Sequence, residues 1–240
     1  MADNLPNSGN VNANSGATEG WVELAKDIWQ QHGTKIIAAV LVLVVAIFAL
    51  AQHFGTASQK QAAMTEDLGR GLEFVYLGQT DSALAAFEGS IQSGVLKDLP
   101  LAKAALLAGN IRLQNGDLDS AEILFKLSVG NSGSANLISS AAENGLAVVA
   151  MERKDYAKAI SALNDFIEKY GKRDGNLANR YTKNEHADLS PTVADALWKL
   201  SLCYFEQKDT ANAKKTAEKI LKIYGDSPRA ANARKLIAIL

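Results

Sequence analysis

The sequence predicts an all-α protein, with a single N-terminal transmembrane helix followed by an α-solenoid of about four divergent helical hairpins and a C-terminal capping helix. Three observations predict this fold class. Sixteen consecutive apolar residues fill Ile36–Ala51. Alanine, leucine and lysine are abundant and proline occurs only four times, which favours helices over sheet. A turn motif recurs at intervals of 38, 38 and 54 residues, and periods of this size are typical of stacked helical arrays.

The chain begins with a polar segment that we expect to remain outside the folded domain. Residues 1–18 consist mostly of Asn, Ser, Gly and Ala, a composition too polar to bury a core, so we predict a disordered tail. Over residues 19–35 the apolar side chains recur at helical spacing, which predicts a short amphipathic juxtamembrane helix. Trp21 and Trp29 are its expected anchors in the membrane interface, where tryptophan is favoured.

Adding Gln52, His53 and Phe54 to the apolar run gives a segment of nineteen residues, Ile36–Phe54, without Lys, Arg, Asp or Glu. As a helix it would cover ~28 Å, close to the ~30 Å hydrocarbon core of a bilayer. Three interpretations are open: an uncleaved anchor, a secretory signal cleaved after Ala51, and a buried core helix. The long acidic tail argues against a signal peptide, and the lack of a polar stripe argues against a core helix. We therefore predict a transmembrane helix over 36–54.

Charge leaves the orientation of this helix open. Lys26 and Lys35 precede it and Lys60 and Arg70 follow it, so the positive-inside rule favours neither orientation clearly. The formal net charge of the whole chain is −1, which gives no long-range field that would attract nucleic acid.

Residues 58–240 form the predicted repeat domain. In each recurring turn a Gly or Lys ends one helix, a polar residue caps the next, and an alanine five positions after the Gly or Lys allows two helix backbones to approach closely. The pattern resembles the tetratricopeptide repeat. The residues that match its small, aromatic and turn positions are Gly71, Gly78, Ala83, Phe87, Gly109, Gly116, Ala121, Phe125, Ala159 and Ala213. The early tryptophan and late proline of that family are absent, and the period exceeds its usual ~34 residues.

Two further segments complete the predicted domain. Residues 170–190 are polar and contain glycine, which predicts an extended insertion; it is either a solvated loop or a binding loop. Ser227 before Pro228 predicts the start of a last helix, with Ser227 as N-cap. We expect this helix to cover the end of the array.

The order of segments resembles a bacterial family of membrane-anchored tetratricopeptide proteins, the ancillary (YfgM-like) subunits of the SecYEG translocon. The resemblance rests on the polar tail, the segment 21–37 that enters the span, and divergent repeats that begin at Gln59. It implies a single-pass bacterial inner-membrane protein with a cytoplasmic N-terminus and a periplasmic repeat domain. The implied partners are the translocon, periplasmic chaperones and exported clients. The ending from Tyr224 onward also resembles repeat proteins of envelope assembly or division, which keeps a structural scaffold as an alternative.

The sequence offers no catalytic constellation. His32, His53 and His186 have no partner ligand at metal-binding spacing, and Cys203 lies among apolar residues, as a small buried hydrophobe would. The glycines occur singly at turns, so no phosphate-binding loop is present. We therefore predict a protein that is not an enzyme, with no cofactor, metal, nucleic acid or small-molecule substrate.

The resemblance also implies a binding face, because the first helix of each tetratricopeptide hairpin lines a concave surface. Transferring the family's face positions gives a mostly apolar set that begins at Leu68 and continues with Leu72, Val75, Leu106, Asn110, Leu113, Asn144, Val148, Met151, Trp198, Leu202 and Phe205. Two interpretations are open. The set lines an open groove for apolar segments of partner proteins, or the helices pack the groove shut and these residues belong to the core.

Overall fold

The computed structural model describes residues 64, 66, 68–176 and 187–240, and the described residues form an all-helical solenoid without strands. Its helices are α1 (68–76), α2 (Thr80–Gln92), α3 (Asp98–Gln114), α4 (Leu118–Asn131), α5 (Asn136–Glu152), α6 (Tyr156–Tyr170), α7 (Val193–Glu206), α8 (Thr210–Ile223) and α9 (Arg229–Ile239). Four hairpins, α1–α2 to α7–α8, and the final helix α9 confirm the predicted all-α solenoid.

The predicted N-terminal segments lie outside the described residues. These are the polar tail 1–18, the juxtamembrane segment 19–35 with Trp21 and Trp29, and the transmembrane segment Ile36–Phe54. In 68–176 and 187–240, no helix has both the length and the hydropathy that crossing a membrane requires.

The helices pack in chain order. From α2 onward, each helix contacts the next, and α3 also contacts α5 as α7 contacts α9. These second-neighbour contacts join first helices of successive hairpins, and α9 takes the place that a fifth first helix would have. The cap is therefore positioned directly beside α7.

The turns inside the four hairpins share one backbone design. The second residue after each first helix donates its N–H to a carbonyl three residues back, and the next residue donates to a carbonyl five residues back, at 2.8–3.1 Å. This is the Schellman arrangement, which requires a left-handed residue. That residue has a φ of +71° at Gly78, +78° at Gly116, +60° at Lys154 and +63° at Lys208.

The residue after the left-handed position caps the second helix in three of the hairpins. The carboxylates of Asp117, Asp155 and Asp209 each accept the N–H three residues further on, at 3.0–3.2 Å. Gln79 occupies this place in the first hairpin and makes no side-chain cap. One residue thus ends one helix and the next one starts another, which fixes the hairpin angle with a very short connection.

Replacing Lys154 with glycine is expected to stabilise the protein. A left-handed conformation costs a non-glycine residue about 1–2 kcal/mol, and glycine removes this cost. The greater conformational freedom of glycine in the unfolded chain offsets about 0.5–1 kcal/mol of the stabilisation. We expect a higher urea midpoint for Lys154→Gly. The reverse change at the equivalent turn, Gly116→Ala, should lower the midpoint, and a lower midpoint for Lys154→Gly would contradict this interpretation.

Each hairpin closes around a pair of residues whose sizes compensate. The first helix supplies a small residue and the second helix a residue sixteen positions later, and all eight side chains or backbones are buried. The pairs are Gly71 with Phe87, Gly109 with Phe125, Ala147 with Leu163 and Ser201 with Ala217. Where the first position is glycine, the second is phenylalanine, and the partner shrinks as the first residue grows. The repeat-defining alanines Ala83, Ala121, Ala159 and Ala213 are all completely buried.

The ring of Phe125 also joins two hairpins. A Cβ on Gly109 of α3 would lie 2.9 Å from this ring, and a Cβ on Gly145 of α5 would lie 2.6 Å from it. The ring is therefore wedged between the first helices of the second and third hairpins. It is the largest side chain of the central core cluster, which lies between an N-terminal cluster around Phe87 and a C-terminal cluster around Phe166.

Glu122 of α4 links the second and third hairpins through charge. Its carboxylate accepts from Lys126 at 2.8 Å and from Lys158 at 3.3 Å, and it pairs with the Arg153 guanidinium. The hydrogen bonds from Lys126 and Arg153, and the bond and charge of Lys158, lower the pKa of Glu122 to about 2, although partial burial acts in the opposite direction.

The pH dependence of the unfolding free energy should reveal the contribution of Glu122 and its three basic partners. Because the folded pKa of Glu122 lies below its ordinary value of 4.5, the stabilisation by its charge is complete above pH 4.5 and is lost as the pH falls towards 2. Glu122→Gln should therefore reduce the slope of unfolding free energy against pH in that window, measured by urea denaturation. Glu168→Gln, at an exposed site on α6, is the matched control and should leave the slope unchanged. An unchanged slope in Glu122→Gln would refute the role of this cluster.

Of the predicted insertion 170–190, Tyr170 is the last residue of α6, and the other described parts, 171–176 and 187–190, contain no helix. Hydrogen bonds centred on Asp188 join the two described ends of the insertion, and we call this group of bonds the neck. The Asp188 carboxylate accepts the N–H groups of Lys172 at 2.8 Å and Arg173 at 3.1 Å, and the Tyr224 hydroxyl at 3.1 Å. Leu189 donates its N–H to the Tyr170 carbonyl at 2.8 Å. These bonds hold the end of α6 close to the residues that lead into α7.

The predicted cap of the last helix was wrong in detail. Pro228, with helical φ and ψ, precedes α9, and Ser227 makes no side-chain cap. The Ser227 carbonyl accepts the Ala230 N–H at 3.0 Å, so its backbone starts the helix while its hydroxyl is buried without a hydrogen-bond partner.

Candidate functional site

An apolar cleft of about 400 Å³ lies between α7 and α9. It is lined by Trp198, Leu202 and Phe205 of α7 and by Asn232, Lys235, Leu236 and Ile239 of α9; we call it the α7–α9 cleft. Phe205 is 37% exposed and Ile239 is 72% exposed, so apolar side chains face solvent there. The volume falls in the range of ~300–1,000 Å³ that is typical of binding sites.

Helical periodicity places these side chains together. Trp198, Leu202 and Phe205 recur at i, i+4 and i+7 and therefore share one face of α7. The other faces of α7 are buried in the C-terminal core through residues such as Leu197 and Leu200. The core thus fixes α7 and leaves an aromatic and aliphatic stripe for the cleft.

A series of polar side chains beside the cleft links α5, α7 and α9. The Lys199 ammonium of α7 donates to the Asn144 side-chain carbonyl of α5 at 2.8 Å and to the Asp195 carboxylate at 2.5 Å. The same carboxylate pairs with Arg229 of α9. Burial alone would raise the pKa of Asp195, but the bonds and charges of Lys199 and Arg229 outweigh it and lower that pKa. The ionised Asp195 therefore holds α9 against α7, which keeps the width of the cleft defined.

The other residues of the predicted binding face are distributed along the array. Leu106 and Asn144 are buried, and Leu113, Val148 and Met151 are half-buried. Leu113 packs against the central core cluster and Met151 against the C-terminal one. At these positions the helices pack closely, as the second interpretation of the sequence expected.

Three members of the predicted face are exposed outside the cleft. Leu72 and Val75 of α1 are each 44% exposed, and Asn110 of α3 is exposed. None of them lines the α7–α9 cleft. The structure thus brings together only Trp198, Leu202 and Phe205 of the predicted set.

Sequence reasoning missed the half of the cleft that α9 supplies. It assigned α9 to cover the array and did not identify Asn232, Lys235 or Ile239 as site residues. The signal in the sequence was the position of the capping helix. Because α9 follows α8, the second helix of the last hairpin, it comes to lie beside α7, the first helix of that hairpin. Apolar residues of α9 at one-turn spacing, Leu236 and Ile239, would then face α7.

The described residues offer no group for catalysis at this cleft. Cys203 is completely buried, and burial raises the pKa of its thiol to about 11, so the thiolate nucleophile is scarce at neutral pH. Within the described ranges no group of His, Cys, Asp and Glu is arranged to hold a metal ion. His186, like His32 and His53, lies outside those ranges. What the cleft can supply is apolar contact with one cationic group at its edge.

Comparisons with known proteins agree with the helical architecture. Residues 26–174, more than half of the chain, match the model of a family described as a tetratricopeptide repeat-like domain, and residues 195–227 match a tetratricopeptide repeat. The fold is similar to the crystal structure of a tetratricopeptide repeat protein from Parabacteroides merdae, with a TM-score of 0.54 and 20% identity. The similarity covers 75% of this chain and 59% of that protein. No curated protein matches the sequence.

Proposed function

The chain belongs to the tetratricopeptide repeat-like family, whose repeats are protein–protein interaction modules, and from this premise we propose that it is a non-catalytic, membrane-anchored module that binds apolar segments of other proteins in the α7–α9 cleft. The observation that carries this proposal is the apolar stripe of half-buried Trp198 and Leu202 and exposed Phe205, which lines the cleft opposite α9. Aromatic and aliphatic anchors in a preformed concavity are the usual energetic centres of protein interfaces.

The proposed setting is the bacterial inner membrane. The predicted span Ile36–Phe54 would anchor the chain with its N-terminus in the cytoplasm and its repeats in the periplasm. The match to the repeat-like family begins at residue 26, so it includes this segment together with the first repeats. The resemblance to ancillary SecYEG subunits supports the translocon, periplasmic chaperones and exported proteins as the partners of this module.

Site-specific photo-crosslinking from the cleft tests the proposal. A photoreactive amino acid is placed at Phe205 in the full chain in living bacteria. The control places it at Ile123, which is 67% exposed on α4. We expect translocon subunits, periplasmic chaperones or exported chains to crosslink at Phe205 and not at Ile123. Crosslinks to cell-wall or division proteins alone would support the structural-scaffold alternative, and equal crosslinking at both sites would reject the cleft as the binding site.

Two simple measurements test the proposed setting. The intact mass of the chain purified from membranes should include residues 1–51, since a cleaved secretory signal would remove them. Protease added to spheroplasts should digest the repeat domain if it lies in the periplasm. A protected repeat domain would overturn the proposed orientation.

A further inference from the structure

The end of the array that contains the cleft is basic. Residues 193–240, which include both walls of the cleft, contain nine Lys and Arg and five Asp and Glu, a formal charge of +4, whereas residues 64–170 contain nine basic and fourteen acidic residues, a formal charge of −5. The chain as a whole is nearly neutral. Charge is therefore separated along the solenoid, and a ligand approaching the α7–α9 cleft meets the positive end.

The cleft itself has an unneutralised cation. Helix α9 contains Arg229, Arg234 and Lys235 and no acidic residue. Arg229 is paired with Asp195, but among the described residues neither Arg234 nor Lys235 forms an ion pair. Lys235 lines the cleft, and none of the residues lining it is acidic. A carboxylate at this edge would thus gain a partner without displacing one.

The shape of the cleft favours a helical ligand. The lining residues of α7 span i to i+7 and those of α9 also span i to i+7, so each wall is about two helical turns, or ~10 Å, long. Two helical walls of this length form a groove into which a third helix lays its apolar face. Apolar residues at i, i+3, i+4 and i+7 on that helix would match the apolar stripes that line the two walls.

We infer that the occupant of the α7–α9 cleft is an amphipathic helical segment of another protein whose apolar face is flanked by carboxylates. The apolar face packs on Trp198, Leu202 and Phe205, and a flanking carboxylate pairs with Lys235. This inference rests on the proposed function, since it names the chemistry of the segment that the module binds. It excludes basic amphipathic segments, which would place like charges against α9.

Two model peptides test the preference directly. Both have leucines at i, i+3, i+4 and i+7; one has glutamates and the other lysines at the flanking positions. The protein is the full chain in nanodiscs of zwitterionic phospholipid. The substitutions Trp21→Phe and Trp29→Phe make Trp198 the only tryptophan, so its emission reports occupancy of the cleft. We expect the acidic peptide to bind about tenfold more tightly at low salt and the difference to shrink as salt screens the charges.

The variants separate charge from apolar contact. Lys235→Glu should remove or invert the preference, whereas Lys103→Glu, at an exposed site on α3, should not change it. Leu202→Ala should weaken both peptides. Equal affinity for the two peptides, with loss in Leu202→Ala, would overturn the charge preference and leave the proposed binding cleft intact. If neither peptide changes Trp198 emission while crosslinking from Phe205 persists, the helical ligand is wrong and the proposed function stands.

A second copy of the chain is the remaining occupant to be tested. The acidic first hairpin, with exposed Leu72, Val75 and Tyr76, offers similar chemistry. Mass photometry of the nanodiscs counts the chains in each particle. More than one chain in each particle, falling to one in Lys235→Glu, would assign the cleft to a second copy and overturn the inference.

Discussion

Replacing Phe125 with alanine is expected to lower the free energy of unfolding by about 3–5 kcal/mol. The side chain is completely buried and its ring fills the space that Gly109 and Gly145 leave open on two neighbouring helices. Its removal creates a cavity at the junction of two hairpins, and a repeat array depends on such nearest-neighbour interfaces. Urea denaturation of the full chain, monitored by circular dichroism, measures the change.

Ile123→Ala is the control for this experiment. Ile123 lies two residues away on the same helix and is 67% exposed, so its truncation should change the unfolding free energy by less than about 0.5 kcal/mol. A similarly small effect of Phe125→Ala would show that the junction does not depend on the ring. A transition that splits into two steps would show that the junction couples the halves of the array.

Adding a single methyl group at Gly145 is expected to cost about 1–3 kcal/mol. The new Cβ would lie 2.6 Å from the Phe125 ring, which is enclosed on its other side by α3 and cannot move away freely. The helix would have to shift from its neighbour. This outcome is opposite to the usual effect of glycine-to-alanine changes in helices, which stabilise by about 0.5–1 kcal/mol.

Gly89→Ala on α2 is the matched control, because a Cβ there has no neighbour within 4 Å. It should stabilise the protein while Gly145→Ala destabilises it. Combining Gly145→Ala with Phe125→Leu should cost less than the sum of the two single changes, since the smaller side chain makes room for the methyl group. Additive costs would mean that the two positions do not contact each other as the structure indicates.

The helical array could be predicted from the sequence because its signals are local. The positions of Ala83, Ala121, Ala159 and Ala213 mark close helix contacts, and each proves completely buried. The left-handed turns were less evident, since Lys154 and Lys208 occupy positions where the pattern favours glycine. Backbone hydrogen bonds of the Schellman turn impose that conformation, and these are visible only in three dimensions.

Only the α7 wall of the cleft could be predicted from the sequence. Trp198, Leu202 and Phe205 follow from helical spacing on one helix, whereas Lys235 and Ile239 come close to them only through the packing of α9 on α7. The bond from Lys199 to Asn144 joins residues 55 positions apart, and no local pattern predicts such a pair. Side chains that meet across different hairpins are therefore the part that required the structure.

The neck at Asp188 explains how the fold accommodates the longer third interval of the sequence repeat. The last interval between key alanines exceeds the others by 54 − 38 = 16 residues, and the hydrogen bond from Lys172 to Asp188 joins residues sixteen positions apart. The hydrogen bonds at Asp188 therefore hold the ends of the additional residues together, and α6 and α7 pack against each other as consecutive helices do elsewhere in the array. Length changes between these two residues are therefore expected to leave the packing of α6 against α7 unchanged.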